Sequence, residues 1–70
     1  MTDYFYLAFQ GVYDGNINIL IEALNNGVDV NSKGHFTNRS LLKIAFHYNK
    51  IYNSNFSIIE LLIMRGATED

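Results

Sequence analysis

Two stretches of the chain share one plan: Asn18-Ile19-Leu20-Ile21-Glu22-Ala23-Leu24-Asn25-Asn26-Gly27-Val28 and Ser57-Ile58-Ile59-Glu60-Leu61-Leu62-Ile63-Met64-Arg65-Gly66-Ala67. Each reads as about three turns of apolar helix ended by glycine. A helix commonly stops with one residue in the left-handed conformation, which costs glycine nothing. Self-similarity of this kind is the mark of a repeat architecture, in which each unit buries its apolar face against its neighbour. The two segments are therefore expected to be the second helices of two units.

A further helix is expected ahead of each. Thr2 or Asp3 can cap the first, and Tyr4, Leu7, Ala8, Gly11 and Val12 recur at helical spacing until Asp14-Gly15-Asn16 breaks the pattern. In the second unit Arg39 or Ser40 opens a helix with Leu41, Leu42, Ile44, Ala45, Tyr48, Ile51 and Tyr52 on one broad face, closing at Asn53-Ser54-Asn55 and about a turn longer than the first. The intervening Asp29 to Asn38 has turn chemistry and little periodicity, so it predicts a projecting loop or hairpin. The expected fold is all-α: a single domain of two helix-turn-helix units, residues 1–31 and 32–70. Its core is predicted to hold Leu20, Leu24, Leu42, Ala45, Ile59, Leu62 and Ile63.

The segment Asp14-Gly15-Asn16, then Ile19-Leu20, Leu24 and Asn25-Asn26-Gly27-Val28-Asp29-Val30-Asn31, resembles the second half of an ankyrin repeat, with its Gly-Ala-Asp-Val-Asn ending. Ser40-Leu41-Leu42-Lys43-Ile44-Ala45-Phe46 is similar to the Thr-Pro-Leu-His-Leu-Ala-Ala opening of a following repeat, and Ile58 to Ala67 to its closing helix. The resemblance covers nearly the whole chain. Leu41 stands where the family has proline and Lys43 where it has histidine, so the family's turn-rigidifying hydrogen bonds are not carried over. Gly27 and Gly66 lie 39 residues apart, against a family period of about 33. The expectation is an insertion of about six residues, most of it in His47 to Asn55 and about one in the Ser32 to Asn38 loop.

Function follows from surface rather than cavity, because a repeat array presents loop tips and first-helix faces to a protein partner. The resemblance implies contact positions at Tyr13 and Asp14, at Phe36, Thr37 and Arg39, and at His47 and Tyr48. Tyr and Arg are favoured interface anchors, although Tyr13, Phe36 and Tyr48 read equally well as caps on a small core. The expected role is a small adaptor or inhibitor that occludes a larger protein, of the kind a virus, mobile element or immunity system produces. A capping piece of a larger ankyrin array is an alternative. So is a DNA-binding helix-turn-helix, although its recognition helix would carry Glu22 or Glu60 with Arg65 as the only base, too few contacts for a phosphate backbone.

Composition excludes other classes. Seven acids against five scattered bases give a formal charge of −2, no footprint for nucleic acid. No basic leader and no apolar run of spanning length is found, so the expected location is cytoplasmic, without membrane insertion. The serines have only His35 and His47 as bases and no motif around them, so catalysis, and with it a small-molecule substrate, is not expected. Two histidines twelve residues apart with no cysteine match no metal-ligand spacing, and no cofactor is expected. Finally, two units are fewer than a repeat array normally needs. The last helix is apolar on several sides, which predicts a homodimer sealed through Ile59, Ile63 and Met64, or else a hetero-complex in which a partner takes the place of the missing repeat.

Overall fold

The Asp3 carboxylate takes the Tyr6 backbone N–H at 3.1 Å, satisfying a donor that the first turn leaves without a partner. Helix α1 runs from there over Tyr4–Asp14. It stops where Gly15 turns left-handed, at φ 69°, and the next residue starts another helix: the Asn16 side chain accepts from the Ile19 N–H at 3.3 Å. Two residues thus join α1 to α2, Ile17–Asn25. After a loop come α3, Leu41–Tyr52, and α4, Phe56–Met64. The computed structural model describes residues 2–35, 38–52 and 56–68, excepting the side chains at 49–52 and 56. Among them the fold is all-α, without a named strand, and no helix is long and apolar enough to cross a membrane.

The two units end alike. The Val28 N–H donates to Ala23 O at 3.3 Å and the Gly27 N–H to Leu24 O at 3.2 Å; 39 residues on, Ala67 donates to Leu62 O at 2.9 Å and Gly66 to Ile63 O at 3.0 Å. This crossed pair of bonds is the Schellman stop. It requires the left-handed backbone of Gly27, φ 101°, and of Gly66, φ 96°. In both units the residue after the glycine, Val28 or Ala67, folds back against the core.

Helix spacing redistributes the extra residues. From the start of α1 at Tyr4 to that of α3 at Leu41 the offset is 37, and from α2 at Ile17 to α4 at Phe56 it is 39. Only two of the expected six fall between the starts of α3 and α4, so the placement of most of them in His47 to Asn55 is corrected. Helix α3, with 12 residues, exceeds α1, with 11, by one residue rather than a turn.

One core runs through all four helices: Ala8, Phe9 and Val12 from α1, Leu20, Ala23 and Leu24 from α2, Leu41, Leu42, Ile44 and Ala45 from α3, and Ile58, Ile59 and Leu62 from α4. Helix α1 packs most extensively on α2, while α3 lies against both α1 and α4. The units therefore stack through their first helices. Polar bonds add to the stack at one end. Asn31 Oδ1 accepts from the Thr68 N–H at 3.0 Å, and the Arg65 guanidinium donates to Asn25 Oδ1 at 3.0 Å.

Six of the seven predicted core residues are buried, and Ile63 is not: it is 53 % exposed. Helical residues advance about 100° each, so Ile63 sits a step round from the buried Ile58–Ile59–Leu62 stripe, on a side that the described helices leave uncovered. Ile59 fails in the opposite sense. At 5 % exposure it belongs to the core and is not on a self-association seam. Ile63 and Met64, the other two residues of that expected seam, are exposed.

Leu62 is fully buried. Leu62→Ala is expected to cost about 2–5 kcal/mol through lost transfer energy and a cavity, whereas Ile63→Ala should cost under about 1 kcal/mol, half its surface already being wet. Urea titrations followed by circular dichroism check both, and equal shifts in midpoint would contradict this core. Gly11 gives a second expectation. A Cβ there would lie 3.0 Å from Asn16 O and 3.0 Å from Leu20 N, both backbone atoms of the turn and helix on which α1 rests. Alanine gains about 1 kcal/mol of helix propensity, but overpacking against atoms that cannot rotate away costs about 1–3 kcal/mol. Gly11→Ala should therefore lower the melting temperature, and a rise would show that α1 and α2 are free to separate.

Candidate functional site

The α1 face turned away from the Gly11 contact with α2 carries two exposed tyrosines. Tyr6 and Tyr13 are seven residues apart, which puts them on the same side of the helix, and they are 60 % and 40 % exposed. Phe9 lies between them, almost buried, as a floor. The Phe5 ring stands 5.1 Å from that of Phe9.

The inter-unit loop supplies the opposite wall. Gly34 N–H donates to Arg39 O at 3.0 Å, Asn38 N–H donates to Gly34 O at 3.0 Å, and Lys33 and Ser40 form an isolated antiparallel bridge. A tight hairpin-like turn results, with Asn38 in the left-handed region at φ 55°, a conformation that asparagine tolerates better than most residues. Its base is held by Ser40, buried, whose hydroxyl accepts from the Lys43 N–H at 3.2 Å and so caps α3. That settles the choice between Arg39 and Ser40 as cap. The turn carries His35 back onto α1, where its ring lies 4.8 Å from that of Phe5. Between the two walls is an open groove of about 300 Å³, lined by Asp3, Phe5, Tyr6, Phe9, Gln10, Tyr13, Gly34 and His35.

The aromatic strip continues onto α3. Tyr13 meets Tyr48 edge-on, with ring centroids 5.3 Å apart and planes at 85°, and Tyr48 meets His47 in the same manner at 5.4 Å. Edge-to-face contact sets the positive rim of one ring against the negative face of the next. Of the residues expected to contact a partner, the structure brings Tyr13, His47 and Tyr48 together. Asp14 follows Tyr13 at the end of α1, where it accepts a 2.6 Å hydrogen bond from the Gln10 amide. Arg39 is exposed at the base of the loop. Phe36 and Thr37 lie outside the described residues.

Tyr6, Gln10, Asp3 and His35 are groove residues that the sequence reading missed. The Tyr6/Tyr13 spacing was a usable signal for the helical half. The approach of His35, thirty residues away from Phe5 in the chain, had none. Chemically the described lining offers apolar area, aromatic rings, two phenolic hydroxyls, an amide, an imidazole and one carboxylate. Among the described residues no cluster of three or more His, Asp or Glu forms a metal site. No family model, curated protein or solved structure shows significant similarity to the chain.

The Tyr13–Tyr48 contact links α1 to α3 at the surface. A double-mutant cycle with Tyr13→Leu and Tyr48→Leu should give a coupling of about 0.5–1.5 kcal/mol in unfolding free energy. Additive single-mutant effects would mean that the pair touches without contributing.

Proposed function

We propose that this chain is a protein-interaction module, a two-unit helical repeat of ankyrin type that acts as a small adaptor or inhibitor by covering part of a larger protein. The observation that carries the reading is the aromatic groove along α1, walled by the inter-unit loop and open to solvent. Large rings held half-exposed are costly for a small domain that has few apolar side chains to bury. They lose little conformational entropy when a partner covers them, and they dominate binding energy where they occur in interfaces. The ankyrin-type reading is supported by three features: identical glycine stops 39 residues apart, stacking through first helices, and a turn that projects from between the units onto the binding face.

Photo-crosslinking in the native cell tests it. Benzoylphenylalanine is placed at Tyr6, at Tyr13, or at Glu22, an exposed control on α2. Discrete protein adducts from the first two positions and none from the third are expected. Equal labelling from all three, or adducts that vanish with nuclease, would overturn the assignment, the latter in favour of a DNA-binding helix-turn-helix.

A further inference from the structure

We infer that the α1 groove takes a cationic side chain, an arginine carried on a short apolar segment of the partner; the inference rests on the protein-binding reading above and names what that site recognises. Size comes first. At about 300 Å³ the groove has room for one or two side chains rather than a folded element, at the lower bound of ligand pockets. The occupant is thus a side chain projecting from a segment that runs over the rim.

Charge comes next. Among the described residues the lining holds one carboxylate, Asp3, one imidazole, His35, and no Lys or Arg; the His35 ring lies against Phe5, on the wall opposite the tyrosines. Asp3 accepts one hydrogen bond among the described residues, from the Tyr6 N–H through Oδ1, whereas an ionised carboxylate has about four acceptor positions. Capacity for a bidentate guanidinium therefore remains. Asp3 caps the N-terminal end of α1, so its carboxylate offsets the positive end of the helix dipole there, and Asp14 adds a second negative charge at the far end of the helix. The chain's own charge of −2 has the same sign.

Ring chemistry points the same way. Tyr6, Phe9 and Tyr13 all line one volume, and a guanidinium over the face of such a ring within about 6 Å is attracted by the ring quadrupole. Arginine suits the site better than lysine, because its planar group stacks on rings and forks onto a carboxylate at once. Its methylene stem, or a neighbouring apolar side chain, would cover the Phe9 floor. An acidic segment would set a carboxylate against both Asp3 and the negative ring faces.

The test uses three blocked peptides, acetyl-Gly-Leu-Xaa-Leu-Gly-amide with arginine, citrulline or glutamate at Xaa, titrated into the full chain by NMR. Citrulline keeps the shape of arginine and removes its charge. The arginine peptide is expected to shift the ring resonances of Tyr6, Phe9 and Tyr13, to bind about tenfold more tightly than the citrulline peptide, and to weaken as salt is raised. Asp3→Asn should abolish most of that preference while leaving the fold intact, since asparagine caps a helix as well as aspartate does. Tyr6→Leu should reduce it while retaining apolar area. Citrulline binding as tightly as arginine, no shift at these rings with the arginine peptide, or an unchanged preference in Asp3→Asn would each overturn the inference. Because the crosslinking experiment uses the native partner, a module that labels protein through Tyr6 and Tyr13 but ignores the charge at Xaa loses this inference alone.

Discussion

The seat of α1 on α2 depends on the missing side chain at Gly11. There the first helix approaches the backbone of Asn16 and Leu20 so closely that even a methyl group would stand 3.0 Å from two main-chain atoms. Everything else refers to that seat. It lets a two-residue turn, Gly15-Asn16, close one helix and cap the next. It brings Ala8 and Val12 into full burial, and it fixes the rotation of α1 about its axis. Rotation decides which residues face outward, so the placement of Tyr6 and Tyr13 on the open side follows from the contact made at Gly11 on the other.

What could be read from the sequence was what local chemistry decides. Asp3, Asn16 and Ser40 cap helices with their own side chains, and Gly15, Gly27 and Gly66 end or follow helices with backbone angles that few other residues adopt. Each needs only residues within one turn, so the helices and their order were legible. Ile59 and Ile63 were not. They are one turn apart, chemically alike and equally suited to a core, yet one is buried and the other half-exposed, because the difference lies in which flank of α4 faces α3. The groove was half legible for the same reason: Tyr6 and Tyr13 declare a shared face by spacing, but the His35 wall exists only because the loop bonds through Gly34, Asn38 and Arg39 bend it onto Phe5.

The join between units is made of unequal parts. At one end Asn31 accepts from Thr68, and Arg65 donates to Asn25, all at exposed positions, where such bonds contribute little because water competes for the same groups. In the middle, α1 and α3 bury apolar side chains against one another, and burial stabilises by about 25 cal/mol per Å² without directional demands. The core thus holds the units together, and the polar bonds fix their register. With so small a core, the total stability sits near the lower limit for domains.

That marginality changes what binding does. The groove draws one wall from α1 in the first unit and the other from the turn that leads into the second, and its aromatic strip crosses to α3 through Tyr13 and Tyr48. A ligand spanning these walls contacts both units at once and cannot do so once they separate. Any free energy of binding is then added to the unfolding free energy, growing as the logarithm of ligand concentration over its dissociation constant. At one hundred times that constant the gain is about 2.7 kcal/mol, a substantial fraction of what a two-unit stack supplies alone. Occupancy of the groove and cohesion of the four helices are therefore coupled: whatever is seated between α1 and the loop adds to the contacts that hold the two halves together.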